Sequence, residues 1–160
     1  MSDRCMIAED PAEPVCDIPA MGIKHVVHRL PALRKMTEII DDAVSIKKPH
    51  IPVVLVICGI GGQGKTQIAL SYCRSVGLTR YRGIFWVDAS SERSTVQGFE
   101  NIAVNLSRAK KILGAQHLTH EKVKQELELW KEQWLLVFDN YDDTSSFDIK
   151  QFIPQGKSKH

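Results

Sequence analysis

The chain has 160 residues, of which 43% are hydrophobic and 25% charged, and this composition is ordinary for a soluble globular protein of about one domain. A formal net charge of +2 is too small to indicate nucleic acid or a membrane surface as a partner. The N-terminus lacks the apolar core of a signal peptide, and the longest apolar stretch, residues 53–60, is too short to span a membrane.

The N-terminal third divides into two parts. Residues 1–22 contain three prolines and five acids, so we predict a disordered tail there. Residues 23–50 are predicted to be a helical linker, with a helix over residues 31–45 that begins near Pro31. The apolar residues of that helix recur at steps of three and four, at Leu33, Met36, Ile40 and Val44.

The remaining chain, residues 51–160, alternates strands with helices. Residues 53–58 (VVLVIC) are a continuous apolar run, which is typical of a parallel strand buried on both faces. A helix is predicted over residues 66–76, with Gly77 as its end. A second strand follows at residues 83–89, then a helix capped by Ser90 or Ser91 whose apolar spacing continues to Leu113.

The last two predicted elements complete an α/β fold. Thr119 is a candidate cap for a helix with Val123, Leu127 and Trp130 on one side, and residues 134–140 (WLLVFDN) form a third strand. Strands that alternate with helices indicate a mostly parallel sheet between layers of helices.

A glycine-rich segment joins the first strand to the helix after it. Residues 59–66 match G-x-x-x-x-G-K-[ST], the phosphate-binding (Walker A) loop. Phosphate oxygens need many hydrogen-bond donors within a small radius, and backbone N–H groups converge in this way only where glycine permits left-handed turns. A lysine then supplies positive charge. The predicted nucleotide-binding residues are Gly59, Ile60, Gly61, Gly62, Gln63, Gly64, Lys65, Thr66 and Gln67.

A hydrophobic strand that ends in an acid is the Walker B pattern, and Asp139 ends the third strand in this way. The Thr66 hydroxyl and the Asp139 carboxylate are therefore predicted to hold Mg²⁺. Asp88 also ends a strand, so it either approaches the ligand or caps the helix near Ser91.

With these motifs in place, the chain resembles the NB-ARC nucleotide-binding domain of STAND-class P-loop NTPases, and most of all the fungal NOD-like versions. The matching segments are GIGGQGKTQIALSYC, FWVDASS, WLLVFDN and QFIPQG, within a resemblance over about residues 25–156. The family implies ADP in a resting state and ATP in an active one, with Mg²⁺. It also places Arg29 at an upstream nucleotide-contacting position, and it is the sole basis for choosing adenine over guanine.

Asn140 is a departure from the family pattern. Many relatives carry a second acid there, which polarises the attacking water, and an amide cannot accept a proton. Asp142 and Asp143 are candidate substitutes, alongside Asn140 itself as a water-positioning residue. The resemblance therefore implies slow or absent ATP hydrolysis.

The chain ends at PQGKSKH, where the family continues into a further strand. In the family that strand lies between the loop strand and the Walker B strand. We therefore expect a fragment with about three core strands of an incomplete P-loop NTPase fold, of marginal stability, in which those two strands either face a gap or pair directly.

Three functions remain open at this point. The first is an ADP/ATP-binding signalling switch. The second is a small P-loop kinase, for which Arg74, Arg80 and Arg82 are the only loose arginine cluster. The third is a non-catalytic decoy fragment that associates with other NB-ARC domains through exposed strand edges. The four cysteines, at positions 5, 16, 58 and 73, contain no C-x-x-C pair, which argues against a zinc site and favours reduced thiols in the cytoplasm.

Overall fold

The computed structural model describes residues 11, 13–20, 30–46, 52–110 and 119–155. Its sheet has three parallel strands in the order β1-β2-β3: β1 (Val15–Asp17), β2 (Gly83–Asp88) and β3 (Trp134–Asp139). The helices are α1 (Leu30–Ile46), α2 (Lys65–Arg80), α3 (Glu92–Ala109) and α4 (His120–Leu129), and a short 3-10 helix covers Ile149–Phe152.

The helices cover both faces of the sheet, so the predicted α/β/α layering is confirmed. On one face, Phe85 and Val87 of β2 pack in a cluster with Phe99 of α3 and Leu127 of α4. On the other face, Ile84 of β2 packs with residues of α1 and α2, among them Ile40 and Tyr72. The central strand is therefore buried on both sides, because alternate side chains point to opposite faces.

Residues 53–58 differ from the prediction of a strand buried on both faces. They form no ladder with any described strand, neither β3 nor another. Leu55 packs against the cluster beneath α1 and α2, whereas Val54 and Val56 are 58% and 71% exposed. The apolar run alternates between a covered and an open face, because no described segment supplies hydrogen bonds or packing on the other side.

The prediction of a disordered tail over residues 1–22 is wrong at β1. Main-chain pairing with β2 places Val15 opposite Gly83, and the Arg82 guanidinium donates to the Pro11 carbonyl at 2.6 and 2.9 Å. Asn105 of α3 donates to the Asp17 carboxylate at 2.7 Å. These tertiary contacts order a segment whose composition alone favours disorder. Residues 1–10, 12 and 21–22 lie outside the described part.

The remaining elements follow the predictions closely, with two further corrections. Helix α2 continues through Gly77 to Arg80, where the Arg80 guanidinium forms a 2.6 Å ion pair with Asp41 of α1. The roughly 1 kcal/mol that a glycine costs within a helix is too little to end it there. Ser91 caps α3 as predicted, in a reciprocal pair of hydrogen bonds with Ser94. Thr119 precedes α4 but its side chain caps no amide.

Candidate functional site

The loop before α2 turns through left-handed conformations at two of its glycines. Gly62 has φ 78° and Gly64 has φ 85°, values that side chains other than glycine adopt at a cost. Gly64 is also the N-cap of α2 and offers no side chain to accept the free N–H groups of the first turn. The helix therefore starts with uncapped donors and the positive end of its dipole beside the loop.

The side chains of the loop bond to its own backbone. Lys65 Nζ donates to the Gly59 carbonyl at 2.8 Å and reaches the Ile60 carbonyl at 3.5 Å. The Gln63 side-chain oxygen accepts from the Ile60 N–H at 3.2 Å. The Lys65 ammonium and the Ile60 N–H, two donors that an incoming anion could contact, are thus bonded within the loop itself.

A cavity of about 420 Å³ lies beside the loop. Its lining combines the cation of Lys65 and the amide of Gln63 with the apolar Ile57 and Ile68 and the thiol-bearing Cys58. That volume falls within the range of small-molecule sites. Sequence reasoning missed Ile57 and Cys58 as lining residues because the run 53–58 was assigned to a fully buried strand, and it missed Ile68 because that residue was assigned to the inward face of the helix after the loop.

A side-chain hydrogen bond joins the start of α2 to the end of β3. Thr66 Oγ1 donates to Asp139 Oδ1 at 2.9 Å, in a partly buried position. The two residues predicted to share a metal are therefore brought together, although 73 positions separate them in the chain.

The carboxyl ends of β2 and β3 are joined by a second polar contact. Asn140 has φ 65° and donates its side-chain amide to Asp88 Oδ1 at 3.2 Å. The backbone N–H and the hydroxyl of Ser90 both donate to the same carboxylate, each at 3.1 Å. Partial desolvation raises the pKa of Asp88, but the hydrogen bonds from Asn140 and Ser90 outweigh it and hold that pKa below its ordinary value.

The two acids after Asn140 differ in what they contact. Asp143 accepts from the Ser145 hydroxyl at 2.6 Å and from the Ser145 N–H at 2.9 Å, and these bonds lower its pKa. Asp143 is thereby held in a local turn. Asp142 is exposed, and its N–H donates to the Asn140 carbonyl at 2.9 Å.

The model of the NB-ARC domain family matches residues 33–160, which is most of the chain. The chain belongs to the NB-ARC domain family. No curated protein and no solved structure matches it significantly. An NB-ARC domain is a nucleotide-binding signalling module of the P-loop NTPase type, in agreement with the loop, the cavity and the α/β/α layers described above.

Two further residues were predicted to contact the nucleotide, Arg29 and Gln67. Arg29 lies outside the described residues. Gln67 is half-buried in the first turn of α2.

Among the helices that the structure describes, none is both long and apolar enough to cross a bilayer.

The arginines on which a kinase would depend bind structural partners instead. Arg74 donates to the Pro19 carbonyl at 3.1 Å, Arg80 pairs with Asp41, and Arg82 donates to the Pro11 carbonyl. The three guanidiniums therefore hold α1 and the segment around β1 in place, and this disfavours an arginine-rich lid over a phosphate acceptor.

The Thr66 and Asp139 oxygens fit the requirements of Mg²⁺. Adjacent oxygens of an octahedral site with bonds of about 2.1 Å lie about 3 Å apart, close to the 2.9 Å between these two atoms. The described residues contain no group of three or more His, Cys, Asp and Glu side chains that could hold a metal. Phosphate oxygens and water would have to supply the other ligands, as is usual for Mg²⁺.

Proposed function

We propose that this NB-ARC domain is an adenine-nucleotide switch that binds ADP or ATP together with Mg²⁺. The observation that carries the proposal is the 2.9 Å bond between Thr66 and Asp139, because it places two magnesium-type oxygens beside a loop suited to phosphate. The preference for adenine rests on the resemblance to fungal NOD-like NB-ARC domains.

In this proposal the loop residues from Gly59 to Gly64 wrap the phosphates with their N–H groups, and the first turn of α2, with Gln67, extends that surface. Binding requires the Lys65 ammonium to exchange the Gly59 carbonyl for phosphate oxygens. The Ile60 N–H likewise exchanges the Gln63 oxygen for a phosphate oxygen. Arg29 stays a predicted contact.

Bound Mg²⁺ would neutralise phosphate charge, with Thr66 as a direct ligand and Asp139 as a ligand or the acceptor of a metal-bound water. The Thr66 oxygen would offer a lone pair to the metal while its proton stays donated to Asp139. The pair therefore offers two oxygens already at the required spacing, which limits the reorganisation needed on binding.

We further propose that ATP hydrolysis is slow or absent. Asn140 commits its amide to Asp88, and an amide cannot accept a proton from water. Asp143 has a lowered pKa and two bonds from Ser145, so it is a weak base. Neither residue provides a base poised near neutral pH. Asp142 is the remaining candidate for positioning water.

Calorimetric titration with ADP, ATP and GTP, each with and without Mg²⁺, tests the proposal. Adenine nucleotides should bind and GTP should bind more weakly. Lys65→Ala should abolish binding, whereas the matched variant Lys35→Ala on the exposed face of α1 should not change it. A folded wild-type protein that ignores adenine nucleotides at millimolar concentration would refute the function.

Turnover is measured separately, in a single-turnover assay of ATP decay by the wild type and by Lys65→Ala. A wild-type rate that exceeds the Lys65→Ala rate by orders of magnitude and approaches ordinary enzyme turnover, about 1–10³ per second, would overturn slow hydrolysis. It would leave nucleotide binding intact.

A second candidate function is homotypic association with other NB-ARC domains. It is favoured by residues 53–58, where Val54 and Val56 are 58% and 71% exposed and no described strand pairs with the backbone. Sedimentation velocity of the wild type and of the double variant Val54→Thr, Val56→Thr tests it. Association that disappears in the variant supports this candidate, and a wild type that stays monomeric at high concentration removes it.

A cytoplasmic location stays a prediction, and the described cysteines Cys16, Cys58 and Cys73 are free thiols.

A further inference from the structure

We propose that Asp88 and Asn140 are positioning residues that hold the Asp139 carboxylate in its metal-binding orientation. The inference rests on the proposed nucleotide and Mg²⁺ binding. It assigns Asn140 a role other than water activation. It also assigns Asp88 a role in the site, where the sequence had allowed either an approach to the ligand or a cap for the helix near Ser91.

The first observation is the backbone of Asn140. Its φ of 65° is the only positive φ among the described residues other than glycine. Asparagine tolerates this left-handed conformation better than most residues, because its short polar side chain can bond locally. Here the side chain is aimed at a specific acceptor, since its amide donates to Asp88 Oδ1. The turn after Asp139 is therefore held by both its backbone and its side chain.

The second observation is that Asp88 is itself fixed. Ser90 donates to it from both its N–H and its hydroxyl, and Ser90 stands directly before Ser91, the N-cap of α3. Asp88 thus connects Asn140 to the start of a helix whose apolar face is buried. A tether to a rigid element restricts motion more than a tether to a loop would.

The third observation links this pair to Asp139. Asp88 lies opposite Asp139 in the parallel register, and the Ala89 N–H donates to the Asp139 carbonyl at 2.7 Å. The backbone of Asp139 is thereby held on one side by β2, while the next residue, Asn140, is tied to Asp88. Thr66 contacts the carboxylate from α2. Loss of the Asp88–Asn140 contact would free the turn directly after Asp139, and only the Ala89 and Thr66 bonds would then hold that residue.

Charge supports the same assignment. Asp88 and Asp139 are both acids at neighbouring strand ends, opposite each other in the parallel register. The Asn140 amide and the two Ser90 donors offset the Asp88 charge. An acid in place of Asn140 would bring a further negative charge against Asp88. An amide at position 140 therefore has a structural role that does not depend on activation of the attacking water.

The test compares ADP affinity in excess Mg²⁺ with ADP affinity in EDTA, for the wild type and for variants. Asn140→Gly keeps the positive φ and removes the amide, and Asp88→Ala removes the acceptor. Both should reduce the Mg²⁺-dependent gain in affinity about 10-fold, as is usual when a partner of a metal ligand is lost. The affinity in EDTA should stay within about twofold, because the loop itself is unchanged. Asn101→Ala, on the exposed face of α3, is the control.

A swap supplies the rescue. Asp88→Asn combined with Asn140→Asp exchanges the donor and the acceptor and preserves the total charge. The new amide also opposes the Ser90 N–H, which donates to the same oxygen as Asn140, so the swap should recover only part of the Mg²⁺-dependent gain. Asn140→Asp alone should not recover it, because it opposes two carboxylates. This rescue also covers the case in which one of the single variants fails to fold.

The outcomes separate the inference from the function on which it rests. Wild-type Mg²⁺ dependence that persists in folded Asn140→Gly and Asp88→Ala would overturn the positioning role and leave nucleotide binding intact. Equal losses in Mg²⁺ and in EDTA would also overturn it, since they indicate a general structural role. A wild type that binds ADP equally with and without Mg²⁺ would refute the metal site and this inference, but not nucleotide binding. A wild type that does not bind ADP at all would refute both this inference and the proposed function.

Discussion

Thr66 Oγ1 and Asp139 Oδ1 are 2.9 Å apart, and this contact joins the first turn of α2 to the end of β3. No described strand pairing connects residues 53–58 to β3, so the backbone before the loop does not make this connection. The spacing of these two oxygens therefore depends on a side-chain bond, together with the packing of α2 on the sheet around Tyr72 and Ile84.

The hydroxyl of Thr66 is expected to contribute to both stability and metal binding. Thr66→Val keeps the shape of the side chain and loses the donor, which should destabilise the fold by about 1 kcal/mol. It should also weaken Mg²⁺-dependent ADP binding about 10-fold. Thermal melts and titration calorimetry measure the two effects. Thr66→Ser is the matched control and should behave as the wild type, and a Val variant with unchanged Mg²⁺ dependence would contradict the role of Thr66.

The Gln63 side chain is expected to compete with bound phosphate. Its oxygen takes the Ile60 N–H, so Gln63→Ala should free that donor and tighten nucleotide binding about 2–3-fold, the lower range for one exposed hydrogen bond. Gln97→Ala, on the exposed face of α3, is a control that should change nothing. If Gln63→Ala instead weakens ADP binding, the glutamine contacts the nucleotide and does not compete with it.

Cysteine labelling should report on occupancy of the cavity. Cys58 is exposed and lines the same cavity as Lys65, so ADP should slow its modification by a maleimide. Burial raises the pKa of the Cys73 thiol to about 11, so Cys73 should stay unreactive at neutral pH until the protein unfolds. The assay uses a variant in which Cys5 and Cys16 are replaced by serine. Labelling of Cys58 that ADP does not slow, in a protein that binds ADP, would place the nucleotide elsewhere.

The stability contribution of the Asp88–Asn140 contact should depend on pH in a defined direction. The pKa of Asp88 is lowered in the folded state, so the contribution is fully present above the ordinary value of 3.8 and is lost as the pH falls through the folded pKa. The free energy of unfolding of the wild type should therefore exceed that of Asn140→Gly by more at neutral pH than in acid. The pH-dependent part of this difference should be no more than about 1 kcal/mol, because the contact is exposed. Urea unfolding at pH 7 and below pH 3.8 measures it. A difference that grows on acidification would contradict this sign.

The local patterns predicted most of the regular structure because each depends on near neighbours in the sequence. The spacing of Leu33, Met36 and Ile40 predicted α1, and an apolar run ending in Asp139 predicted β3. The strand at β1 could not be predicted in this way, since three residues in a proline-rich acidic segment carry no periodic signal. Their order comes from pairing with β2 and from contacts with Arg82 and Asn105.

The same limit explains the error over residues 53–58. A continuous run of β-branched residues indicates burial on both faces only if something covers both faces. In the described structure one face packs under α1 and α2, and Val54 and Val56 face outward. The composition of residues 53–58 indicates a preference for extended backbone, but it does not indicate which other segment pairs with them or covers their second face.

The sequence by itself determined the phosphate-type loop, because glycines at 59, 61, 62 and 64 followed by Lys65 and Thr66 are a contiguous chemical pattern. It also determined the alternation of strands and helices and the choice of Asp139 as an acid at a strand end. Only the tertiary structure decided which distant groups meet. Asn140 reaches Asp88 because the parallel strands β2 and β3 bring their carboxyl ends to one edge of the sheet, regardless of how much chain separates them. Thr66 reaches Asp139 because α2 packs on the sheet and its first turn lies at the end of β3.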